Sequence, residues 1–304
     1  MNLELQALRQ ALSESVGADR LLTDEPLARY CNWKVGGPAD LLFTARSSAE
    51  LVQALRWAQK FSQAYTVIGF GANALVSDRG VRGLVVLNRA ERIEFRDHCL
   101  VEADSGTNLA VLARRAMEKG VGGLEFLIGI PGTVGAAVAG NAGTRTYWIS
   151  EVVERVSVLS PDGTIRQYGP AELAFSYRSS RLKHSSEVVI SATLRGKPDD
   201  PAVIAHRMDE LLQLRKNQPP GSSAGSVFKN PPGDFAGRLI EACGLKGHRI
   251  GGAKISEMHA NFIVNTGGAR AEDIKALIEL AKVEVQRQFG IVLEEEIRYL
   301  GDWS

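Results

Sequence analysis

Cysteine is scarce in this chain of 304 residues. Cys31, Cys99 and Cys243 stand far apart and are odd in number, which excludes a disulfide framework and a Cys-x-x-Cys metal pair. Such usage suits a reducing, cytoplasmic setting. His98, His184, His206, His248 and His259 are equally scattered, so no metal site is expected. No run of about 18 apolar residues occurs, so no membrane span is expected. The opening M-N-L-E-L-Q-A-L-R-Q-A-L lacks a basic region followed by an apolar core, so it does not read as a signal peptide. Charge of one sign is missing too. The formal net charge is +1, so no strong field recruits nucleic acid or an anionic membrane. Any anionic ligand must be held by local groups. Gly221 to Gly225 has the spacing Gly-x-Ser-x-Gly, but it follows an expected helix and not a strand, so nucleophilic hydrolysis lacks support. Repeats and low-complexity segments are absent as well.

What is present is an ordinary globular composition, 44% hydrophobic and 23% charged, on a length that suits two domains. Its most unusual stretch is G-I-P-G-T-V-G-A-A-V-A-G-N-A-G, Gly129 to Gly143, in which only Thr133 and Asn141 carry polar side chains. Glycine loses the most backbone freedom on ordering, so the stretch reads as a poor helix or strand. Bare main chain does let something large and flat approach closely, and leaves N–H groups for anions. We read it as a ligand-wrapping segment, with a close-packed structural turn as the alternative. A second Gly-containing turn, G-F-G-A-N-A-L-V-S-D (Gly69 to Asp78), resembles a nucleotide-phosphate loop. Gly69 and Gly71 permit close approach, and Asn73 and Ser77 are placed to bond phosphate or ribose. The spacing is neither G-x-G-x-x-G nor a Walker A loop, so alone it is a weak signal.

Periodicity and turn residues organise the rest. Helices are expected in residues 1–20, from Ser48, at Asn108–Lys119, Ala202–Lys216, Phe235–Cys243 and Ala271–Phe289. Strands are expected at Ala39–Ala45, Tyr65–Ile68 and Leu84–Leu87. Hairpins are expected at Ile93–Phe95 with Cys99–Ala103, and at Val152–Leu159 with Thr164–Tyr168 across Pro161-Asp162-Gly163. Val188–Leu194 is another strand. Ala260–Asn265, the last helix and Ile291–Tyr299 read as a βαβ unit. Pro198 and Pro201 mark a boundary near 196–201. The fold class is α+β.

Five segments, in order, resemble the bacterial UDP-N-acetylenolpyruvoylglucosamine reductases (UDP-N-acetylmuramate dehydrogenases). They are Asn32 to Ala39, the two Gly-containing segments, A-G-S-V-F-K-N-P after Gln218-Pro219, and L-E-E-E-I-R near the end. The resemblance runs from about residue 27 to 301. A-G-S-V-F-K-N-P is its most specific part. The stretch between Arg178 and Arg215 has no room for the inserted loop of one family type, so the chain resembles the shorter, second type. The resemblance implies an FAD-binding domain of two α+β subdomains (vanillyl-alcohol-oxidase/PCMH-like), residues 1–197, divided at about 88/89. A substrate-binding domain, 198–304, would follow, with its C-terminal strand returning to the active site. It implies FAD, NADPH, reduction of the enolpyruvyl ether of UDP-N-acetylglucosamine to UDP-N-acetylmuramate, and a cytoplasmic role in peptidoglycan synthesis. No nucleic acid, membrane or metal enters, and the oligomeric state is left open.

Site residues follow from the same resemblance. Ser226 matches the proton donor, although Ser222 and Ser223 share its loop. Arg178 matches the catalytic arginine that stabilises the enolate, with Arg181 a nearby competitor and Tyr177 lining the pocket. Glu296 matches the catalytic glutamate, with Glu294 and Glu295 beside it; strand alternation would put Glu294 and Glu296 on one face. Lys229 and Asn230 are expected on substrate, with loop stabilisation an equal role for Asn230. Of Arg215, Lys216 and Asn217, which serves the substrate is open. FAD is expected against Gly69, Gly71, Ala72, Asn73, Leu75, Gly129, Thr133, Gly135, Asn141 and Gly143. Ala136, Gly140 and Thr144 depart from the usual pattern. Two other readings compete: a flavin oxidase of the same fold, and a nucleotide-binding module without chemistry.

Overall fold

The structure, a computed structural model, describes residues 3–216 and 218–304. The chain parts into two compact units. The first comprises residues 1–22, 42–69 and 84–216, and the second residues 23–41, 70–83 and 217–304. Both mix helices with short strands, an α+β chain.

The first unit is built on a five-stranded antiparallel sheet in the order Ile165–Tyr168, Val153–Leu159, Val188–Arg195, Leu100–Asp104, Ile93–Arg96. Both expected hairpins are in it. Its inward side chains, among them Val101, Val156 and Leu194, are buried with Leu109 and Leu112 of the helix Leu109–Glu118. Asn108 caps that helix, its side-chain oxygen accepting from the Ala110 and Val111 N–H groups. Elsewhere in the unit, Tyr65–Ile68 and Leu84–Leu87 pair in parallel.

One expectation fails here. The Gly129–Gly143 segment is not without regular structure, because Val134–Gly140 is a helix. Thr133 caps its start, and Asn141 ends it in the left-handed region at φ 43°. Val134, Ala137 and Val138, spaced i, i+3, i+4, are buried in the core, and this burial outweighs the poor propensity of glycine.

The second unit centres on the helix Ala271–Phe289. Ile274, Leu277, Ile278, Ala281 and Val285 form its buried stripe. Both carboxylate oxygens of Asp78 receive its first N–H groups, from Ala271 at 3.0 Å and Glu272 at 3.2 Å. Against this helix lies a three-stranded antiparallel sheet, Arg249–Ile250, Ala253–Ile255 and Ile263–Asn265. Trp33 is fully buried, its indole N–H donating to the Ile263 carbonyl at 2.7 Å.

The expected βαβ unit is not formed. Ile263–Asn265 pairs antiparallel with Ala253–Ile255, whereas the last strand pairs in parallel with Ala74–Val76, in another sheet. That last strand is only Arg298–Leu300, not Ile291–Tyr299. Residues 294–296 bond to a loop instead.

Gly140 sits in its helix with ordinary φ, and a Cβ there would meet nothing within 4 Å. Gly140→Ala is expected to stabilise the cofactor-free protein by about 0.5–1 kcal/mol, read from urea midpoints. A loss of stability would show that the space is closed.

Candidate active site

In the second unit, Ser226 lies on an extended loop held from both sides. On one side the Val227 N–H donates to the Asn261 carbonyl at 2.8 Å, and Ser226 bridges Phe262. The buried Asn261 side chain then brackets the next residue. Its oxygen accepts from the Phe228 N–H and its NH₂ donates to the Phe228 carbonyl, both at 2.9 Å. On the other side the Glu296 N–H donates to the Val227 carbonyl, and the Lys229 N–H to the Glu294 carbonyl, each at 2.8 Å. Ser226 and Glu296 are thus fixed relative to each other through one residue, Val227. Asn73 reinforces the pair. Its amide donates to the Glu296 carbonyl at 3.0 Å, and its own carbonyl accepts from the Arg298 N–H at 2.9 Å.

The three glutamates are separated by their partners. Glu294 is exposed and pairs with Lys229, while Glu295 is mostly covered and pairs with Lys282 at 2.8 Å. Glu296 is half-buried beside Ser226's neighbour. The Asn230 side-chain oxygen accepts from the Ala236 N–H at 3.1 Å, at the start of the following helix. Ser77, a candidate for phosphate, instead donates its hydroxyl to the Asp302 carbonyl. Leu75 has its side chain in the core.

In the first unit, Tyr177 and Arg178 are the middle residues of a two-residue turn closed by reciprocal Ser176–Ser179 backbone bonds of 3.0 and 3.2 Å. Arg178 is left-handed, φ 55°, which for a residue with a Cβ costs about 1–2 kcal/mol. The turn is tied to the Gly-rich segment. Asn141 donates to the Ser176 carbonyl at 2.9 Å, Ser180 donates to the Ala139 carbonyl at 2.8 Å, and Arg178 Nη1 donates to the Gly143 carbonyl at 3.1 Å. The Arg178 guanidinium stands 5.1 Å from the Trp148 ring centre and 5.7 Å from that of Tyr177. Its competitor Arg181 is instead tied to Glu187 at 2.9 Å and to the Tyr168 hydroxyl at 3.2 Å. Arg215 lies over Gly129, where a Cβ would come within 2.9 Å of its Cδ. Burial, with Arg178's like charge second, pulls its pKa down. Lys216 is exposed, and Asn217 lies outside the described residues.

The glycine-rich main chain leaves open space at some positions and packs closely at others. A Cβ at Gly132 would meet nothing within 4 Å, so bare backbone borders open space there, as at Gly140. Gly69 and Gly135 instead allow close packing: a Cβ would lie 2.9 Å from the Thr133 hydroxyl oxygen or the Ser105 Cβ, respectively. In the second unit Gly71 turns at φ 59°, where a Cβ would come 2.7 Å from the Cys31 Cα. The bare main chain at Gly132 leaves room for a flat group such as a flavin. Among the described residues no group of three or more His, Cys, Asp or Glu could hold a metal ion.

Family comparisons bear directly on these segments. Residues 39–169 match the FAD binding domain family, and residues 216–300 match the C-terminal domain of UDP-N-acetylenolpyruvoylglucosamine reductase. The reductase of Moorella thermoacetica is 46% identical over 93% of this chain and 94% of its own length. The chain belongs to the UDP-N-acetylenolpyruvoylglucosamine reductase family. The family member of Pediococcus pentosaceus is 40% identical over 96% of this chain and 98% of its own length. The crystal structure of the Thermus caldophilus reductase superposes with a TM-score of 0.79, at 39% identity, covering 92% of this chain and 98% of that one. The α+β, FAD-binding fold class expected from sequence stands.

Four residues with structural roles here went unassigned in the sequence: Asn261, Asp78, Trp148 and His259. Asn261 is a polar residue among the apolar Ala260, Phe262, Ile263 and Val264, the one hint available. Asn261→Leu leaves the Phe228 N–H and C=O unpaired, and is expected to lower stability by about 2–6 kcal/mol in urea unfolding. An effect below 1 kcal/mol would mean that the bracket is dispensable.

His259 accepts the Asn261 N–H on Nδ1 at 3.2 Å and packs on Phe262 with ring centres 5.0 Å apart. Burial lowers its pKa from the ordinary 6.5, with Lys246 helping and Glu241 opposing. Protonation therefore opposes folding. Its contribution is complete above pH 6.5 and is lost as pH falls through the lower folded value. His259→Gln should flatten the slope of urea stability between about pH 7 and 5; an unchanged slope would assign it elsewhere.

Proposed function

We propose that this chain reduces UDP-N-acetyl-3-O-(1-carboxyvinyl)-glucosamine to UDP-N-acetylmuramate with electrons from NADPH, through Ser226, Glu296 and Arg178. It is an FAD-dependent oxidoreductase of peptidoglycan precursor synthesis. The observation that supports the residue assignment is the backbone bond from the Glu296 N–H to the Val227 carbonyl, which pairs the main chain next to Ser226 with that of Glu296. Residues 1–197 serve the cofactor and 198–304 the substrate in this reading, and the reaction belongs to the cytoplasm. No helix among the described residues is long and apolar enough to cross a membrane.

The enolpyruvyl double bond gains a hydride on one carbon and a proton on the other. FAD, when bound, supplies the hydride and is renewed by NADPH. Gly69, Gly71, Ala72, Asn73, Leu75, Gly129, Thr133, Gly135, Asn141 and Gly143 are the residues that would hold it. Hydride addition leaves an enolate conjugated to the substrate carboxylate. Arg178, a permanent cation with a planar fork, takes that carboxylate and the charge spreading onto it. Ser226 then donates its proton to the carbanion. A hydroxyl is a weak acid, but a carbanion is a strong enough base to take its proton. Glu296 polarises the enol and carboxylate. Tyr177 borders the carboxylate. Lys229 and Arg215 serve the diphosphate, with Arg215 preferred over the exposed Lys216; Asn230 shapes the loop.

Ser226→Ala and Glu296→Gln are expected to retain FAD and its bleaching by NADPH. Anaerobic reoxidation by the enolpyruvyl nucleotide should slow by about 100- to 1,000-fold. Equal slowing of both half-reactions would assign these residues to structure.

A further inference from the structure

A groove of about 760 Å³ runs along the helix Ser48–Lys60 in the first unit. Ser48, Val52, Arg56 and Lys60 all line it, each four residues from the last. The groove therefore follows one face of the helix from end to end, a length of about 18 Å. Ile165 and Ile190 line it from the five-stranded sheet. Val52 and Ile190 are buried and Trp57 is half-buried, yet Ile165 is 51% exposed. None of these residues is among those assigned to the cofactor or the substrate.

The lining carries two charged residues, and both are cations. The Arg56 guanidinium donates from Nε and Nη2 to the Gly163 carbonyl, at 3.1 and 2.9 Å. The Lys60 ammonium stands 4.6 Å from the centre of the Trp57 ring, which itself stacks with Phe61. A carbonyl and a ring orient a cation without cancelling its charge. Carboxylates close to them in the chain are already taken. Glu50 of the same helix is paired with Arg20 at 2.8 Å, and Asp162, next to Gly163, with Arg166 at 2.8 Å. Among the described residues neither Arg56 nor Lys60 has a carboxylate partner. The groove thus joins an apolar floor to positive charge that the chain does not neutralise.

We propose that this groove docks an acidic segment of a partner protein. Bulky apolar side chains of the segment would seat on Trp57 and Ile165, and its carboxylates would meet Arg56 and Lys60. Charge complementarity selects the partner, because a basic segment would bring like charge to both cations. Shape selects a chain over a flat surface. A trough that follows three turns of helix takes a segment lengthwise, with its side chains reaching the buried floor at Val52 and Ile190.

The test uses the FAD-loaded protein and a library of displayed random peptides of about 16 residues, with the Arg56→Glu/Lys60→Glu variant as counter-selection. Peptides that the wild type retains and the variant does not should carry Asp or Glu beside Leu, Ile, Phe or Trp. A synthetic copy of one of them should bind the wild type, and bind about 10-fold or more weakly to the double variant and to Ile165→Asp. Bleaching of the flavin by NADPH and its anaerobic return with the enolpyruvyl nucleotide should stay within two-fold in both variants, which also shows that they fold. Failure to recover such peptides, recovery of basic or uncharged ones, or binding indifferent to Ile165→Asp would overturn the proposal. So would slowing of both flavin half-reactions, which would assign the groove to the fold itself. Phosphatidylglycerol vesicles retained by the wild type and released by the double variant would give this face to a membrane and overturn it as well.

Discussion

The main-chain bonds of Val227 are the constraint on which the chemistry proposed for the second unit depends. Its N–H reaches Asn261 and its carbonyl receives Glu296, both at 2.8 Å. A small shift of a proton donor relative to its acceptor slows transfer severely, so catalytic groups need support from rigid neighbours. Here the support is backbone pairing on both edges of one short loop, with Asn261 bracketing Phe228 and Asn73 holding the Glu296 carbonyl. Each of these segments is then anchored in the core by apolar neighbours: Val227, Phe228, Leu293 and Ile297 are buried together.

The first unit meets the same demand by different means. Arg178 occupies a strained turn, and Asn141, Ala139 and Gly143 hold that turn to the end of the glycine-rich helix. The segment thus has two uses. Its bare backbone suits a flat cofactor, and its last residues orient an arginine. Asn141 illustrates the economy, since one side chain both donates to the Ser176 carbonyl and accepts the Ser150 N–H while its backbone ends the helix.

Much of this was legible in the sequence, for reasons particular to each segment. Hairpins with strong turn residues, such as Pro161-Asp162-Gly163, formed as expected because local pairing needs no distant partner. The register of A-G-S-V-F-K-N-P points to Ser226 among three serines, and its role belongs to the proposed mechanism. The misses share a cause. Ile291–Tyr299 reads as a strand, but a strand needs a partner, and residues 294–296 found theirs in the Ser226 loop. The helix at Val134–Gly140 depends on burial that propensity does not register. Asp78 and the helix it caps are 193 residues apart, and Trp33 reaches Ile263 across 230. Asn261, Trp148 and His259 likewise owe their roles to neighbours that only folding supplies.

The most direct test of the account is the visible spectrum of the purified, FAD-loaded protein, kept without oxygen while NADPH and then the enolpyruvyl nucleotide are added. The account predicts flavin bands that bleach with NADPH and return in full with the nucleotide, with one UDP-N-acetylmuramate formed per flavin. Bands that return only when air is admitted would contradict it and describe an oxidase instead.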